Sequence, residues 1–419
     1  MDFDSTPPTP EMEKFRNEVR TWLKSNVPED MKMPMGTAHG IIRYEEAGDR
    51  APEMTAFWNE KHRELGKRGW LYPTYPKQYG GGGLTGDHEA IIHEEFRKGG
   101  VVPHHSGGTT IEPILVWGTE EQKQKFVTPL LRGEKTCHQK LTEPQSGSDQ
   151  ANVRNRAVRD GDDWLLSGQN TFISTFQGVS FLSGQAMTDP EAPRHRNTGF
   201  FIVPNPSPGL QIVPMTLVGV NVQNFVYMDN VRVPADHLIG GPTQGWQVMS
   251  TVMESEHSGR GGVAFEDAVV TNLVDYMQES RRRGNLPGGD PWLQEKALDA
   301  WIEDHVHALF STRNHWLVMN KQTMSWEGAT NGLFNRYRVI HAKAKVRDVM
   351  GMYANINKHD PLAPYGGMQE LEMRERHSDH GGGSLNITKV IVARRLGISR
   401  TRDQAAPTHM SAPGGVKVP

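Results

Sequence analysis

Three hydroxyl side chains crowd one short turn, where residues 141–149 read Leu-Thr-Glu-Pro-Gln-Ser-Gly-Ser-Asp. Thr142, Ser146 and Ser148 surround a Pro-Gly turn in which backbone N–H groups can point outward together. That arrangement suits a polar, often anionic ligand, such as a pyrophosphate or a flavin edge. Taken alone, the same residues also serve as a plain solvated loop.

A second candidate lies further along the chain. Trp246, Met249 and Met253 recur at +3 and +7 and form an apolar helical stripe. Three residues more bring the stripe to Glu256, while Glu254 points about 160° away from it. A carboxylate that continues an apolar stripe is costly unless it is paired or functional. Two roles fit: an ion pair with Arg260 at i+4, or a proton acceptor in a dry pocket.

Other clusters carry less. Asp304, His305, His307 and His315 fall in a helical stretch, where neighbouring histidines do not converge on one point, so no metal site is expected. His377, Ser378, Asp379 and His380 sit together in one polar loop, whereas a hydrolytic triad is assembled in space. Gly80–Gly83 lacks the Lys-Ser/Thr of a P-loop.

These groups need a scaffold, and 419 residues imply two or three domains. Hydrophobic content of 36%, charged content of 23% and ten Trp supply ample core material. Net charge of −3, with no long basic run, argues against nucleic acid. No run approaches roughly 18 apolar residues, so no membrane span is expected. The N-terminus lacks the basic and apolar regions of a signal peptide. The single cysteine, Cys137, excludes an internal disulfide framework and fits a reducing, cytoplasmic setting.

Residues 1–136 read as helical, with Thr9-Pro10 as a helix start and further helices near 54–68, 86–98 and 119–132. Residues 137–240 change to short strands at Val153–Val158, Trp164–Leu166, Phe181–Met187, Phe200–Val203, Leu210–Val213 and Phe225–Tyr227, which predicts a small antiparallel β domain. Helical periodicity returns over 241–400, with a turn at Gly284–Pro291. Residues 401–419 read as a mobile tail. The class is α+β.

The nonapeptide at 141–149 resembles the L-T-E-P-x-(A/S)-G-S-D signature of acyl-CoA dehydrogenases. The resemblance extends in order over most of residues 10–400. It includes Tyr79-Gly80-Gly81 with Leu84, the Gly118–Gln122 helix start, Gly168–Ser174, Gly245-Trp246 and Ile391-Val392-Ala393-Arg394. It implies an N-terminal helical domain, a central β domain and a C-terminal four-helix bundle.

The resemblance also implies FAD. Gln139, Leu141 and Thr142 would line the flavin ring, Phe172 and Ser174 would cover it, and Ser148, Gln294, Gly383 and Ser384 would make further cofactor contacts. Ser148 falls near the pantetheine arm of the thioester, and Glu254 and His257 fall beside the substrate. Many relatives place the catalytic Glu at the position of Gly382, where this chain has no carboxylate. Isovaleryl-CoA and long-chain dehydrogenases place it on the first helix of the C-terminal bundle, which here implies Glu256. Two family features are altered: Arg281-Arg282-Arg283-Gly284 stands in place of R-x-x-F-G, and Val349-Met350-Gly351-Met352 lacks a paired-glycine turn.

The function so implied is FAD-dependent α,β-dehydrogenation of an acyl-CoA. Glu256 would be the base, an electron-transfer flavoprotein the acceptor, and the assembly a homodimer or homotetramer. The alternatives are a flavin monooxygenase on the same fold and a non-catalytic subunit of a hetero-oligomer.

Overall fold

Thr9 opens the first helix, α1 (Pro10–Asn26): its hydroxyl accepts from Met12 N at 3.2 Å, and Pro10 occupies the first helical position. The computed structural model describes residues 9–32, 50–101, 108–176, 178–215, 217, 223–257, 268–279, 287–320, 322, 324–356 and 383–400. Helices α2 (Ala51–Arg68) and α3 (Gly86–Lys98) follow. Arg16 and Arg20 of α1 both bond the buried carboxylate of Glu95 on α3, at 2.9 and 2.8 Å, and fix the two helices together. Val19, Trp22, Trp58, Leu65 and Phe96 fill the space between them. Each contributes about 1.5–3 kcal/mol by leaving water.

Helix α4 (Gly108–Trp117) was not legible in the sequence, because Pro113 interrupts its pattern. The expected helix near 119–132 is divided into α5 (Glu120–Gln122), a wider turn at Lys123–Val127 and α6 (Thr128–Leu131). Thr119 and Gln122 form its capping box. Gln122 Nε2 also reaches Asp236 O and Leu238 O, at 2.9 and 2.8 Å, which ties these helices to the sheet.

The strands are β1 (Cys137–Gln139), β2 (Arg156–Asp160), β3 (Asp163–Ser174), β4 (Phe181–Met187), β5 (Thr198–Pro204), β6 (Leu210–Pro214), β7 (Gln223–Val233) and β8 (Leu238–Ile239). They form one sheet in the order β6-β7-β3-β2-β4-β5-β8, with β1 beside β4. The ladders are antiparallel except for β1–β4 and a single parallel pair between β2 and β4. The Trp164–Leu166 segment is the start of a strand that runs on to Ser174, because polar residues in its second half face the site described below. The chain then returns to helices: α7 (Gly245–His257), α8 (Ala268–Glu279), α9 (Pro291–Met319), α10 (Glu327–Met350) and α11 (Leu385–Arg395). A buried Arg338–Asp304 ion pair at 2.9 Å joins α10 to α9. No described helix is long and apolar enough to cross a membrane. The expected tail lies outside the described residues.

Candidate active site

The loop after β1 is shaped by its acidic residue. Glu143 is 2% exposed. Its carboxylate accepts from Arg154 N at 2.7 Å, Asn155 N at 3.1 Å and Gln145 Nε2 at 2.6 Å. Its backbone exchanges hydrogen bonds with Ser146, at 2.9 and 3.0 Å. Lys140, wholly buried, lies close enough to attract it and reaches Gln185 O at 3.4 Å. Burial pushes the Lys140 amine down to about 8 and pushes the Glu143 carboxyl up. Glu143 is therefore a bracket for the loop.

The end of β3 is sewn to this loop. Thr171 N donates to Thr142 O at 2.9 Å, and Asn170 Nδ2 donates to the same oxygen at 3.2 Å. Asn155 Nδ2 in turn holds Asn170 Oδ1 at 2.9 Å. Gly168, at φ 142°, leaves room for this: a Cβ there would stand 2.0 Å from Asn155 Oδ1. The β3–β7 register then slips between Asn170 and Ile173. Inside that bulge Phe172 adopts φ 55°, a left-handed conformation that costs an aromatic residue about 1–2 kcal/mol, and its ring is 54% exposed. A strained backbone that presents an uncovered aromatic ring beside a bracketed polar loop suits a flat ligand. On β1, the buried Gln139 Nε2 has no hydrogen-bond partner among the described residues. That orphaned donor and the uncovered Phe172 ring both fit a flavin, whose flat heterocycle has a polar edge.

The helical bundle meets the loop from the other side. Ser148 Oγ donates to Ser384 Oγ at 3.3 Å, and Ser384 caps α11 through Ile387 N. Gly383, at φ 92°, precedes it. On α7, Val248, Met249 and Val252 are fully buried, and Trp117 of α4 bonds Thr251 at 3.0 Å. Glu256 continues this face, yet its side chain is exposed, so the packing stops where the carboxylate begins. Arg336 of α10 is close enough to interact with it electrostatically. Glu254 takes the other side of α7, where Arg395 holds its carboxylate at 2.6 and 3.5 Å.

The β4–β5 turn links α7 to the loop. Arg194 pairs with Asp149, and His195, at φ 74°, lies tilted over Trp246 with ring centroids 4.6 Å apart. Beside it a cleft of about 350 Å³ is lined by Arg154, Arg156, Arg194, Asn152 and Asn197 among others.

The structure thus brings Gln139, Leu141, Thr142, Ser148, Phe172, Ser174, Gly383 and Ser384 to one region, with α7 alongside. Gln294 is exposed on the first turn of α9, and its Nε2 donates to Gly288 O at 2.6 Å. The His257 side chain, Arg260, Arg281–Gly284, Gly382 and the His377–His380 cluster lie outside the described residues. Asp304 is paired with Arg338, His305 bonds Trp301 O, and no three described residues group as metal ligands. Sequence reasoning missed the bracketing role of Glu143 and missed Asn155 and Asn170, whose roles depend on long-range contacts and leave no local signal.

Known proteins give a consistent picture. Residues 9–134 match the acyl-CoA dehydrogenase N-terminal domain and residues 139–231 match its middle domain. Acyl-CoA dehydrogenase FadE26 of Mycobacterium tuberculosis is 29% identical over 94% of this chain and 98% of its own. Acyl-CoA dehydrogenase FadE29 of the same organism is 25% identical over 92% and 96%. In fold, the chain superposes on the ChsE4–ChsE5 complex of M. tuberculosis with a TM-score of 0.76 and 23% identity, covering 96% of this chain and 100% of that one. With two family domains matched in order and the signature loop built into the site, this chain belongs to the acyl-CoA dehydrogenase family of oxidoreductases.

Proposed function

We propose that this protein oxidises an acyl-CoA thioester across its α and β carbons, with FAD as cofactor and Glu256 as base. The observation that carries this reading is Phe172, strained and uncovered on a strand end sewn to the signature loop. FAD, when bound, accepts the β hydride. The protein's own groups do the rest. Phe172 covers the ring, and Thr142 and Ser174 supply hydroxyls to its polar edge. Ser148 would lie along the pantetheine arm, and Ser384, hydrogen-bonded to Ser148, would add a cofactor contact. The arginines of the neighbouring cleft supply charge for the phosphates of CoA.

Glu256 would take the α proton onto its carboxylate. The arriving acyl chain would cover the exposed carboxylate and bring the α carbon within its reach. We assign Glu254 to the Arg395 pair rather than to substrate contact. A flavin monooxygenase needs no carboxylate at the end of the α7 stripe, which disfavours that reading. Association into a larger assembly is favoured by one observation: Met352 and Tyr353, just past the end of α10, are 79% and 40% exposed. We place the protein in the cytoplasm as at least a dimer, of like or unlike chains, with Gln294 near a neighbouring chain's flavin and an electron-transfer flavoprotein as acceptor.

The test is reconstitution with FAD followed by anaerobic titration with a panel of acyl-CoA thioesters. Flavin bands that bleach with at least one thioester support the proposal. A protein that takes up no flavin, alone or with a partner subunit, would refute it. A flavin that no thioester bleaches, but that consumes oxygen with a reductant, would transfer the assignment to the monooxygenase.

A further inference from the structure

Ser174 and Gln223 are Cα partners at the end of the β3–β7 ladder. Directly opposed residues of an antiparallel pair place their side chains on one face. Gln223, 5% exposed, donates from Nε2 to Ser174 Oγ at 2.8 Å. A hydroxyl has one proton and two lone pairs. With a lone pair engaged by Gln223, the Ser174 proton points away from it, and no group among the described residues accepts that proton. Ser174 is itself only partly buried, so the proton is available to a ligand.

The surrounding bonds prevent the strand end from turning. Asn224 Nδ2 donates to Ile173 O at 3.2 Å and to Thr175 O at 2.5 Å, bracketing Ser174 on both sides. His138 Nδ1 lies 2.9 Å from Thr175 Oγ1, and both residues are buried. Met215 N donates to Gln223 O at 2.8 Å and holds the Gln223 backbone. Three buried polar side chains spent on one strand end, next to a strained Phe172, are costly unless the direction of the hydroxyl matters.

We propose that Gln223 is a positioning residue for flavin reduction: it fixes Ser174 as a hydrogen-bond donor toward the cofactor's redox-active ring. The inference rests on the flavin reading given above. Gln223→Glu keeps length and volume, but an ionised carboxylate only accepts, so Ser174 must turn its proton inward. Gln223→Leu removes both options and lets the hydroxyl rotate.

The experiment measures flavin content, the visible flavin spectrum before substrate is added, and flavin reduction at saturating acyl-CoA. Gln223→Glu is expected to bind FAD, shift the flavin bands, and reduce about tenfold more slowly with little change in KM, the scale of one hydrogen bond. Gln223→Leu should fall between it and the wild type. In a Ser174→Ala background Gln223→Glu should add nothing, because Gln223 acts through Ser174. Flavin-loaded Gln223→Glu with unchanged spectrum and rate would overturn the inference alone, as would losses that add in the double variant. Wild-type protein that binds no flavin would overturn the flavin reading and this inference together. Should Gln223→Glu not fold, the Gln223→Leu and Ser174→Ala cycle decides by the same additivity.

Discussion

Arg395 Nη2 stands 2.6 Å from Glu254 Oε2, with the two side chains only 10% and 11% exposed. Arg395 Nη1 also donates to Ser325 O at 2.9 Å, so one guanidinium joins α7, α11 and the start of α10. The pair lies on the face of α7 away from the buried Met249 and Val252. Two carboxylates two residues apart on one helix therefore have separate surroundings: Glu254 is tied down by a cation, and Glu256 is left at the edge of the packing.

That separation predicts a clean division of phenotypes. Glu254→Gln leaves Arg395 without its counter-charge and should destabilise the fold by about 1–3 kcal/mol. It should be read as a lower midpoint of urea unfolding. Flavin reduction by substrate, normalised to bound flavin, should stay within about threefold of wild type. A rate collapse with unchanged stability would show Glu254 to be part of the chemistry.

Phe172 predicts the opposite exchange. Phe172→Gly removes the Cβ that makes φ 55° costly, and the gain of about 1 kcal/mol is partly returned as greater backbone freedom in the unfolded chain. Stability without cofactor should therefore hold or rise slightly. Retention of FAD should weaken, because the stacking face is gone. Equilibrium dialysis of FAD alongside thermal unfolding of the apoprotein checks both halves. Unaltered FAD affinity would remove Phe172 from the cofactor site.

The central motif was legible in the sequence because it is local: Thr142, Ser146 and Ser148 lie within seven residues, and the Glu256 stripe obeys a helical period. On α7 the fully buried side chains are Val248, Met249, Thr251 and Val252, while Trp246 and Met253 are only partly buried and Glu256 is exposed, so the buried face is offset from the stripe read in the sequence. What escaped was whatever depended on distant contacts. Asn155 and Asn170 look like ordinary polar residues until β2 and β3 pair and bring them 2.9 Å apart. The residue pattern alone reads only the Trp164–Leu166 start of β3, because Gly168, Gln169 and Asn170 weaken strand propensity, and the strand end at Phe172–Ser174 is reached only through the family resemblance.

Lys140 gives a pH signature that nothing in the sequence announced. Its amine is held at about 8 when folded, against about 10.5 in an unfolded chain. Between those values the unfolded state binds more protons, so stability should rise with pH from about 8 to about 10.5 on account of this group. Below 8 both states are protonated and the contribution is flat. Urea midpoints measured across pH 7–10.5 should show that rise in the wild type and lose it in Lys140→Met. A wild-type profile parallel to that of Lys140→Met would mean that the amine does not carry a perturbed proton.

Glu256 is the decisive residue for the chemistry. Glu256→Gln keeps side-chain length and the α7 packing but cannot accept a proton. FAD content should match wild type, since the contacts proposed for the ring come from β1, the signature loop and β3. Anaerobic bleaching by a cognate acyl-CoA should slow by at least ~10²-fold, the usual share of a general base. Binding of a non-oxidisable thioester should change little, because the carboxylate acts on the α proton and not on the CoA arm. Glu256→Asp shortens the reach by one methylene and should fall between the two, which separates a missing base from a misplaced one. A Glu256→Gln protein that bleaches at the wild-type rate would leave the α7 carboxylate as an exposed helix end beside Arg336, and the base would have to be sought elsewhere in the bundle.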